Sequence, residues 1–195
     1  RLKRTLLYAP LLLLGAEAFL HLLQVFAGRI GYLYELEWME GAMLHPVVRL
    51  LHGLPLYGDP TLDFVPALYM PLYYYVSALS ALVFGENLFA LRIVSVAAAL
   101  LTHWLIYLIV RRITASLPAA LLGMALFAWT YPHTAFWFDV ARVDSLWTCL
   151  LASGFYAVLL LREQPTRQRM VWLVVAFLAA FMAKQSTLFL LPFLL

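Results

Sequence analysis

One stretch decides the fold: LFALRIVSVAAALLTHWLIYLIV, residues 88–110. It contains one charged side chain, Arg92, and as an α-helix it is long enough to cross a bilayer core, which takes about 20 residues. Further apolar runs occupy residues 5–27, 67–84, 117–131, 145–161 and 170–183, and a last one starts at residue 186. The chain is 65% hydrophobic and 12% charged, whereas soluble domains are about 45–50% apolar and about 25% charged. We predict an all-α, polytopic bundle of transmembrane helices, and we exclude a soluble enzyme, a disordered tail and a nucleic-acid binder.

The topology depends on the short run 67–84. If this run crossed the membrane, Arg111–Arg112 and the cluster Arg162–Arg169 would lie on the side opposite Arg1–Arg4, against the positive-inside rule. If it lies along the surface, all three basic clusters face the cytoplasm and residues 28–87 form an exterior loop. We therefore predict the second arrangement.

Two helices are expected within this long exterior loop. Met39–His52 has an apolar face and a polar face, which is typical of a helix in the plane of the interface. A second, tyrosine-rich interfacial helix is expected to start at Pro71. Residues 1–195 are expected to form a single transmembrane domain, the N-terminal part of a longer enzyme, with the two surface helices covering a cleft.

Acidic residues are concentrated at the expected mouth of this cleft. Glu35, Glu37 and Glu40 lie in the first loop, and Asp139 and Asp144 lie at the exterior end of two later helices. The two groups could meet across the cleft, where a carboxylate can act as a general base. The alternative for each acid taken alone is an ordinary exterior loop charge. The histidines lack metal-ligand spacing, and the single cysteine, Cys149, excludes an intramolecular disulfide within the chain.

An ordered set of short segments resembles one family of membrane enzymes. The segments are EWMEG at 37–41, LLHGLPLY at 50–57, YMPLYYY at 69–75, Phe84-Gly85, Leu91-Arg92, RVDS at 142–145 and Lys184-Gln185. Together they resemble polytopic glycosyltransferases of the C-type fold. The bacterial lipid A aminoarabinose transferases and rhizobial lipopolysaccharide sugar transferases are the nearest branch, related to the protein mannosyltransferases. The resemblance extends over most of the chain.

The resemblance implies a donor that is a sugar on a polyprenyl phosphate. It implies inverting transfer to a lipid, glycan or protein acceptor at the exterior membrane face, in a multi-pass protein of the bacterial inner membrane with its active site facing the periplasm. The partners are then this donor, the acceptor and membrane lipids, and no nucleic acid. No cofactor or metal site is expected, and the pattern does not indicate a divalent cation.

The resemblance also implies roles for individual residues. Glu40 matches the acid of the family's Glu-Gly pair and is the first candidate for the general base. Many relatives have an Asp just before this pair, where this chain has Met39. Glu37 is therefore a second candidate for the general base. Asp144 matches a second acidic motif and is expected to bind substrate hydroxyls or to orient the base. The residues expected to bind substrate are Glu35, Asp59, Asp63, Tyr69, Tyr73, Arg92, Asp139, Arg142, Lys184 and Gln185, with the last two near the phosphate. Arg92 is interpreted either as an interfacial anchor or as a phosphate contact.

Two other functions fit a polytopic membrane protein. A transporter or lipid flippase would have charged or helix-breaking residues deep in several spans, and here only Glu17, His21 and His103 lie deep. A non-catalytic membrane scaffold is the other alternative.

Overall fold

The computed structural model describes residues 2–62 and 64–190, with side chains from Tyr8 onward. Within these ranges the chain forms seven α-helices and no strand, apart from an isolated bridge between Thr61 and Phe64. The helices are α1 (Leu2–Arg29), α2 (Met39–Leu51), α3 (Leu72–Phe84), α4 (Leu88–Thr114), α5 (Leu117–Trp129), α6 (Val143–Glu163) and α7 (Arg167–Ala183), with 3₁₀ turns at Tyr131–Thr134 and Gln185–Phe189. The predicted all-α class is confirmed.

Three helices are long and apolar enough to cross a membrane. They are α1 from Tyr8 onward, α4 and α6, with 22, 27 and 21 residues. At about 1.5 Å per residue each exceeds the roughly 30 Å of a bilayer core. The chain is therefore an integral membrane protein. Helix α5 has 13 residues and α7 has 17, so α5 is shorter than the predicted run 117–131, which ends in the following 3₁₀ turn.

The two helices predicted inside the long loop are both present. Helix α2 buries the side chains of Met39, Glu40, Met43, Pro46 and Val47. It ends before Gly53, whose φ of +71° is a conformation that glycine adopts without strain. Helix α3 starts directly after Pro71, as predicted, and with 13 residues it is about 20 Å long. This length is too short to cross a bilayer alone.

Helix α4 lies at the centre of the packing. It contacts α3, α5 and α6, while α1 packs on α5 and α7 packs on α6. Small residues allow the closest approaches: a Cβ on Gly15 of α1 would lie 2.7 Å from the Ala125 side chain of α5. The α2–α3–α4 core contains Met43, Val47 and Leu91, all buried, and it holds the loop helices against the bundle.

Charged side chains are concentrated at the two ends of the bundle. At one end Arg112 of α4 pairs with Glu163 of α6. At the other end Arg92, at the start of the same α4, pairs with Glu40. This separation agrees with the predicted partition of charges. The assignment of the Glu40 end to the exterior stays a prediction.

Candidate active site

The deepest ionic contact at this end joins Glu40 of α2 to Arg92 of α4. Arg92 donates from Nε to Glu40 Oε1 at 2.8 Å and from Nη2 to Oε2 at 2.6 Å. The backbone amides of Ala141 and Leu36 donate to the same two oxygens at 2.7 and 2.6 Å. Neither side chain is exposed to solvent. The pair therefore joins the loop before α2, the start of α4 and the loop before α6 in one contact.

The burial and hydrogen bonds of Glu40 affect whether it can act as the predicted base. Burial alone would raise the pKa of Glu40, but the hydrogen bonds from Arg92 and from the amides of Ala141 and Leu36 outweigh it and lower the pKa. Each carboxylate oxygen already accepts two hydrogen bonds. Glu40 thus has the environment of a structural carboxylate that favours the ionised form, and its role as a base stays a prediction.

Arg92 is enclosed by the loop that follows α1. Its guanidinium also donates to the carbonyls of Tyr32 and Tyr34, the latter at 2.7 Å. The side chain of Arg92 is fully buried at the first turn of α4, so it does not reach the membrane interface as the interpretation as an interfacial anchor required. Since Glu40 and these carbonyls occupy its donors, Arg92 holds the loop in place.

A second set of charges lies beside this pair and remains partly open. We call Glu37, Arg142, Asp144 and Lys184 the ion network. Arg142 Nη1 lies 3.1 Å from Glu37 Oε1, and Arg142 Nε donates to Asp144 Oδ2 at 3.0 Å. Lys184 Nζ donates to Asp144 Oδ1 at 2.7 Å. The two acid-rich segments of the sequence therefore meet, as the expected cleft required.

The side chains of Glu37, Asp144 and Lys184 are partly exposed, unlike those of the buried pair, whereas Arg142 is buried. Glu37 is 15% exposed, Asp144 17% and Lys184 21%. Among the residues that the structure describes, the Met39 amide is the one hydrogen-bond donor to Glu37 Oε2, at 3.0 Å. The carboxylate of Glu37 therefore still has room for a further hydrogen bond from a ligand.

Aromatic rings surround the two cations of the network. The Arg142 guanidinium lies 4.0 Å from the centre of the Trp137 ring. Lys184 Nζ lies 5.0 Å from the Trp147 ring and 5.7 Å from that of Tyr69, so Tyr69 lies where a substrate contact was predicted. Trp147 is fixed in turn by a hydrogen bond from Nε1 to Thr187 Oγ1 at 2.8 Å. Ring faces of this kind attract cations and hold their side chains in place.

The loop between α5 and α6 places Arg142 at the network. Its backbone turns sharply at Ala135 and Phe136, both with positive φ. The Ser145 hydroxyl donates to the carbonyl of Phe138 at 2.8 Å, and the Ala141 amide donates to Glu40. The buried pair of Glu40 and Arg92 therefore holds Ala141, the residue next to Arg142, in position. Burial would lower the pKa of Arg142, but Asp144 and Glu37 outweigh it and raise it.

Asp139 belongs to a separate buried group. Its Oδ1 accepts a 2.7 Å hydrogen bond from the Tyr131 hydroxyl, and Arg29 Nε lies 3.3 Å from Oδ2. Burial raises the pKa of Asp139 despite these two partners. This group joins the end of α1 to the loop before α6, and within the described part of the chain no hydrogen bond or ion pair links it to the ion network.

The remaining predicted residues lie at varied positions. Glu35, Asp59 and Gln185 are exposed, and Asp63 lies outside the described residues. Tyr73 is fully buried, with its hydroxyl near the Leu91 carbonyl and Ser95, so its side chain is part of the core. Among the residues that the structure describes, no three His, Cys, Asp or Glu side chains converge in a way that could hold a metal ion.

Sequence reasoning missed four residues of this region: Arg29, Trp137, Trp147 and Thr187. A signal existed for Arg29, a basic residue at the end of the first span predicted to face the exterior. The other three follow no pattern in the sequence, since they meet the charges only through tertiary contacts.

A cavity of about 170 Å³ adjoins the ion network. Its lining includes Asp144, Ser145 and Thr148 from α6 and the rings of Phe127, Trp137 and Trp147. The network thus has an adjacent space with both aromatic and polar walls.

Comparison with known families agrees with this geometry. The model of the family described as dolichyl-phosphate-mannose-protein mannosyltransferase matches residues 65–195, more than half of the chain. The chain belongs to this mannosyltransferase family. The match includes Arg92, Arg142, Asp144 and Lys184, whereas Glu37 and Glu40 precede it. No curated protein and no solved structure matches the chain.

Family membership makes the chain a glycosyltransferase of the mannosyltransferase-like, membrane-embedded type. It supports the predicted relationship to C-type glycosyltransferases and, in general terms, a sugar donor on a polyprenyl phosphate with a glycan or protein acceptor. The aminoarabinose and rhizobial branch is a finer assignment that belongs to the proposal below.

Proposed function

We propose that this protein transfers a sugar from a polyprenyl phosphate to an acceptor at the exterior membrane face, with inversion at the anomeric carbon. The ion network at one end of the bundle is the observation that supports this best. It combines two partly exposed carboxylates with two cations, the groups needed for a proton transfer and for a phosphate leaving group. The ordered resemblance to bacterial lipopolysaccharide sugar transferases favours an inner-membrane protein that modifies a cell-envelope lipid or glycan.

The proposed step is a single displacement. The acceptor hydroxyl gives its proton to a carboxylate as its oxygen forms a bond to the anomeric carbon. The bond from that carbon to the phosphate oxygen breaks, and its electron pair leaves with the polyprenyl phosphate. The phosphate thereby gains negative charge, which nearby cations stabilise in the transition state.

Within this scheme Glu37 is the better candidate for the base than Glu40. Glu37 is partly exposed and its Oε2 accepts one hydrogen bond, from the Met39 amide. Glu40 is completely buried and accepts four hydrogen bonds. A base must reach the proton that it abstracts, and an acceptor hydroxyl can approach Glu37 without breaking the buried pair. Glu40 then acts as a positioning residue for the loop that precedes α6.

Lys184 and Arg142 are proposed to hold the donor phosphate. Both lie beside Asp144, which keeps the two cations at fixed positions through its two oxygens. Asp144 then acts as an orienting group for the cations and has room for one sugar hydroxyl.

The experiment is a transfer assay with the full-length protein in lipid vesicles and a panel of radiolabelled polyprenyl-phosphate sugars. Wild type is expected to transfer at least one of these sugars. Glu37→Gln is expected to lower kcat by a factor of about 10² to 10⁴, the usual contribution of a general base, with little change in the KM for the donor. Glu86→Gln is the control, because Glu86 is an exposed carboxylate that pairs with His52 and lies outside the ion network.

Two results would contradict the proposal. If wild type transfers no sugar from the whole panel, the transporter or scaffold alternatives replace it. If Glu37→Gln keeps full activity while Glu40→Gln loses it without loss of thermal stability, Glu40 is the base and the assignment of Glu37 fails.

A further inference from the structure

The polar side chains of α1 lie on the face that points away from the other helices. Leu22 and Phe26 form the buried face, which packs against α4 and α5. Glu17, His21 and Gln24 are exposed on the opposite face. The ion pairs between described residues include neither Glu17 nor His21. Since ionisable side chains inside a bilayer face protein or water and avoid lipid, a further surface must cover this face.

Glu17 and His21 lie near the middle of the membrane. The span of α1 runs from Tyr8 to Arg29. Both residues are fewer than three residues from the midpoint of this span, within about 4 Å of it at 1.5 Å per residue. From that depth neither side chain reaches the edge of a core that is roughly 30 Å thick. The two groups therefore need their partners inside the membrane.

These groups belong to a row of exposed residues with the spacing of a coiled coil. Leu13, Glu17, Leu20 and Gln24 follow one another at intervals of four, three and four residues, and all four are exposed. We call these four residues the α1 seam. This spacing places a continuous row of side chains against a second helix that packs along the first. The α1 seam is about 16 Å long, and His21 lies directly beside it.

We propose that the α1 seam joins two copies of this chain in a parallel pair, with a two-fold axis along the membrane normal. Both copies have the same orientation in the membrane, so the symmetry brings each seam residue to its equivalent in the second copy. The two Glu17 and two His21 side chains then surround the axis, and an imidazole N–H of one copy donates to the carboxylate of the other. The two Gln24 amides donate to each other. This inference is independent of the proposed transfer reaction.

The chemistry of the α1 seam favours a second copy over other occupants. Lipid tails offer no hydrogen bond to a carboxylate or an imidazole. A helix that carries only an acid or only a base would pair with one of Glu17 and His21 and leave the other unpaired. A second copy supplies both groups at the same depth. The leucines of the α1 seam also meet their equivalents, and such packing contributes to helix association in membranes.

Disulfide cross-linking in membranes tests whether two seams meet. In the full-length protein, Leu20→Cys is expected to form a covalent dimer when an oxidant is added, and the unsubstituted protein gives the background. Leu178→Cys is the matched control and is expected to stay monomeric. Leu178 of α7 is 55% exposed, close to the 59% of Leu20, and lies on a different helix. A monomeric Leu20→Cys protein would place lipid or another helix on the α1 seam, and equal dimer yields at both positions would indicate random collision. Either result would overturn the inference.

Substitution of the polar groups tests what they contribute to association. The double variant Glu17→Leu, His21→Leu is expected to lower the association constant of the dimer in lipid vesicles about tenfold, the loss of one interhelical hydrogen bond. Energy transfer between labelled copies measures this constant, and the melting temperature shows that the fold is retained. Trp104→Leu, at a residue of α4 that is 53% exposed, is the control and should leave the constant unchanged. A constant that the double substitution does not lower would contradict the pairing of Glu17 with His21.

Discussion

The Arg142 guanidinium lies between Glu37 and Asp144, with Nη1 3.1 Å from one carboxylate and Nε 3.0 Å from the other. It thereby joins the loop before α2 to the first turn of α6. Lys184, after α7, extends the same chain of charges through Asp144. Three segments that are distant in sequence thus form one partly exposed site in a chain that is 65% hydrophobic.

The buried pair of Glu40 and Arg92 is expected to stabilise the fold. Glu40→Gln or Arg92→Gln should each lower the free energy of unfolding by about 3–5 kcal/mol, because removing one partner leaves the other charge buried without compensation. The double variant should lose less than the sum of the two, since both substitutions remove one interaction. The measurement is denaturant or thermal unfolding in detergent.

The exposed pair of Arg112 and Glu163 is the control for this prediction. Both side chains lie at the surface, and exposed ion pairs contribute little, so Arg112→Gln should leave the unfolding transition almost unchanged.

The lowered pKa of Glu40 also predicts how the stability of the fold depends on pH. Its stabilising contribution is present above the unfolded pKa of about 4.5 and is lost as pH falls through the folded pKa. Additive losses in the double variant would contradict the coupling.

Lys184 is expected to bind the phosphate of the donor. Lys184→Met should raise the KM for the donor and the inhibition constant of free polyprenyl phosphate by about tenfold to a hundredfold, the loss of one charge-assisted hydrogen bond. Lys184→Arg should restore part of the affinity because it keeps the charge. Arg167→Gln, at the opposite end of the bundle, should change neither constant. A fall in kcat with unchanged inhibition by polyprenyl phosphate would show that Lys184 only supports Asp144.

The contact between α1 and α5 predicts different outcomes for two glycines of one helix. In Gly15→Ala the new Cβ would lie 2.7 Å from the Ala125 Cβ, so the two helices must move apart and the melting temperature should fall. Nothing lies within 4 Å of the Cβ position at Gly28, so Gly28→Ala should stabilise the helix by roughly 0.5–1 kcal/mol. Equal melting temperatures for the two variants would contradict this packing.

The orientation of the bundle can be measured by cysteine labelling. A cysteine replacing Gly58, in the loop between α2 and α3, should react with a membrane-impermeant reagent added outside the cell. A cysteine replacing Thr114, at the end of α4, should react only after the membrane is opened. The native Cys149 is buried and should add little background. The reverse pattern would contradict the predicted orientation.

The class of the fold and the positions of the long helices follow from the order of the amino acids alone. Long apolar runs such as 88–110 must form helices in a bilayer, because every backbone polar group needs an internal partner there. The helix start at Pro71 and the helix end before Gly53 follow from local backbone chemistry. The distribution of Arg and Lys also predicted that the acidic segments lie at one end, because that pattern depends only on position along the chain.

The difference between the two neighbouring acids, Glu37 and Glu40, depends on tertiary packing. Glu37 and Glu40 are three residues apart and chemically alike, and no local pattern separates them. Their difference comes from Arg92 and Ala141, which are 52 and 101 residues from Glu40 and enclose it with hydrogen bonds, while Arg142 leaves Glu37 partly open. Burial and hydrogen-bond saturation are properties of packing between distant segments, so they arise only when the helices assemble.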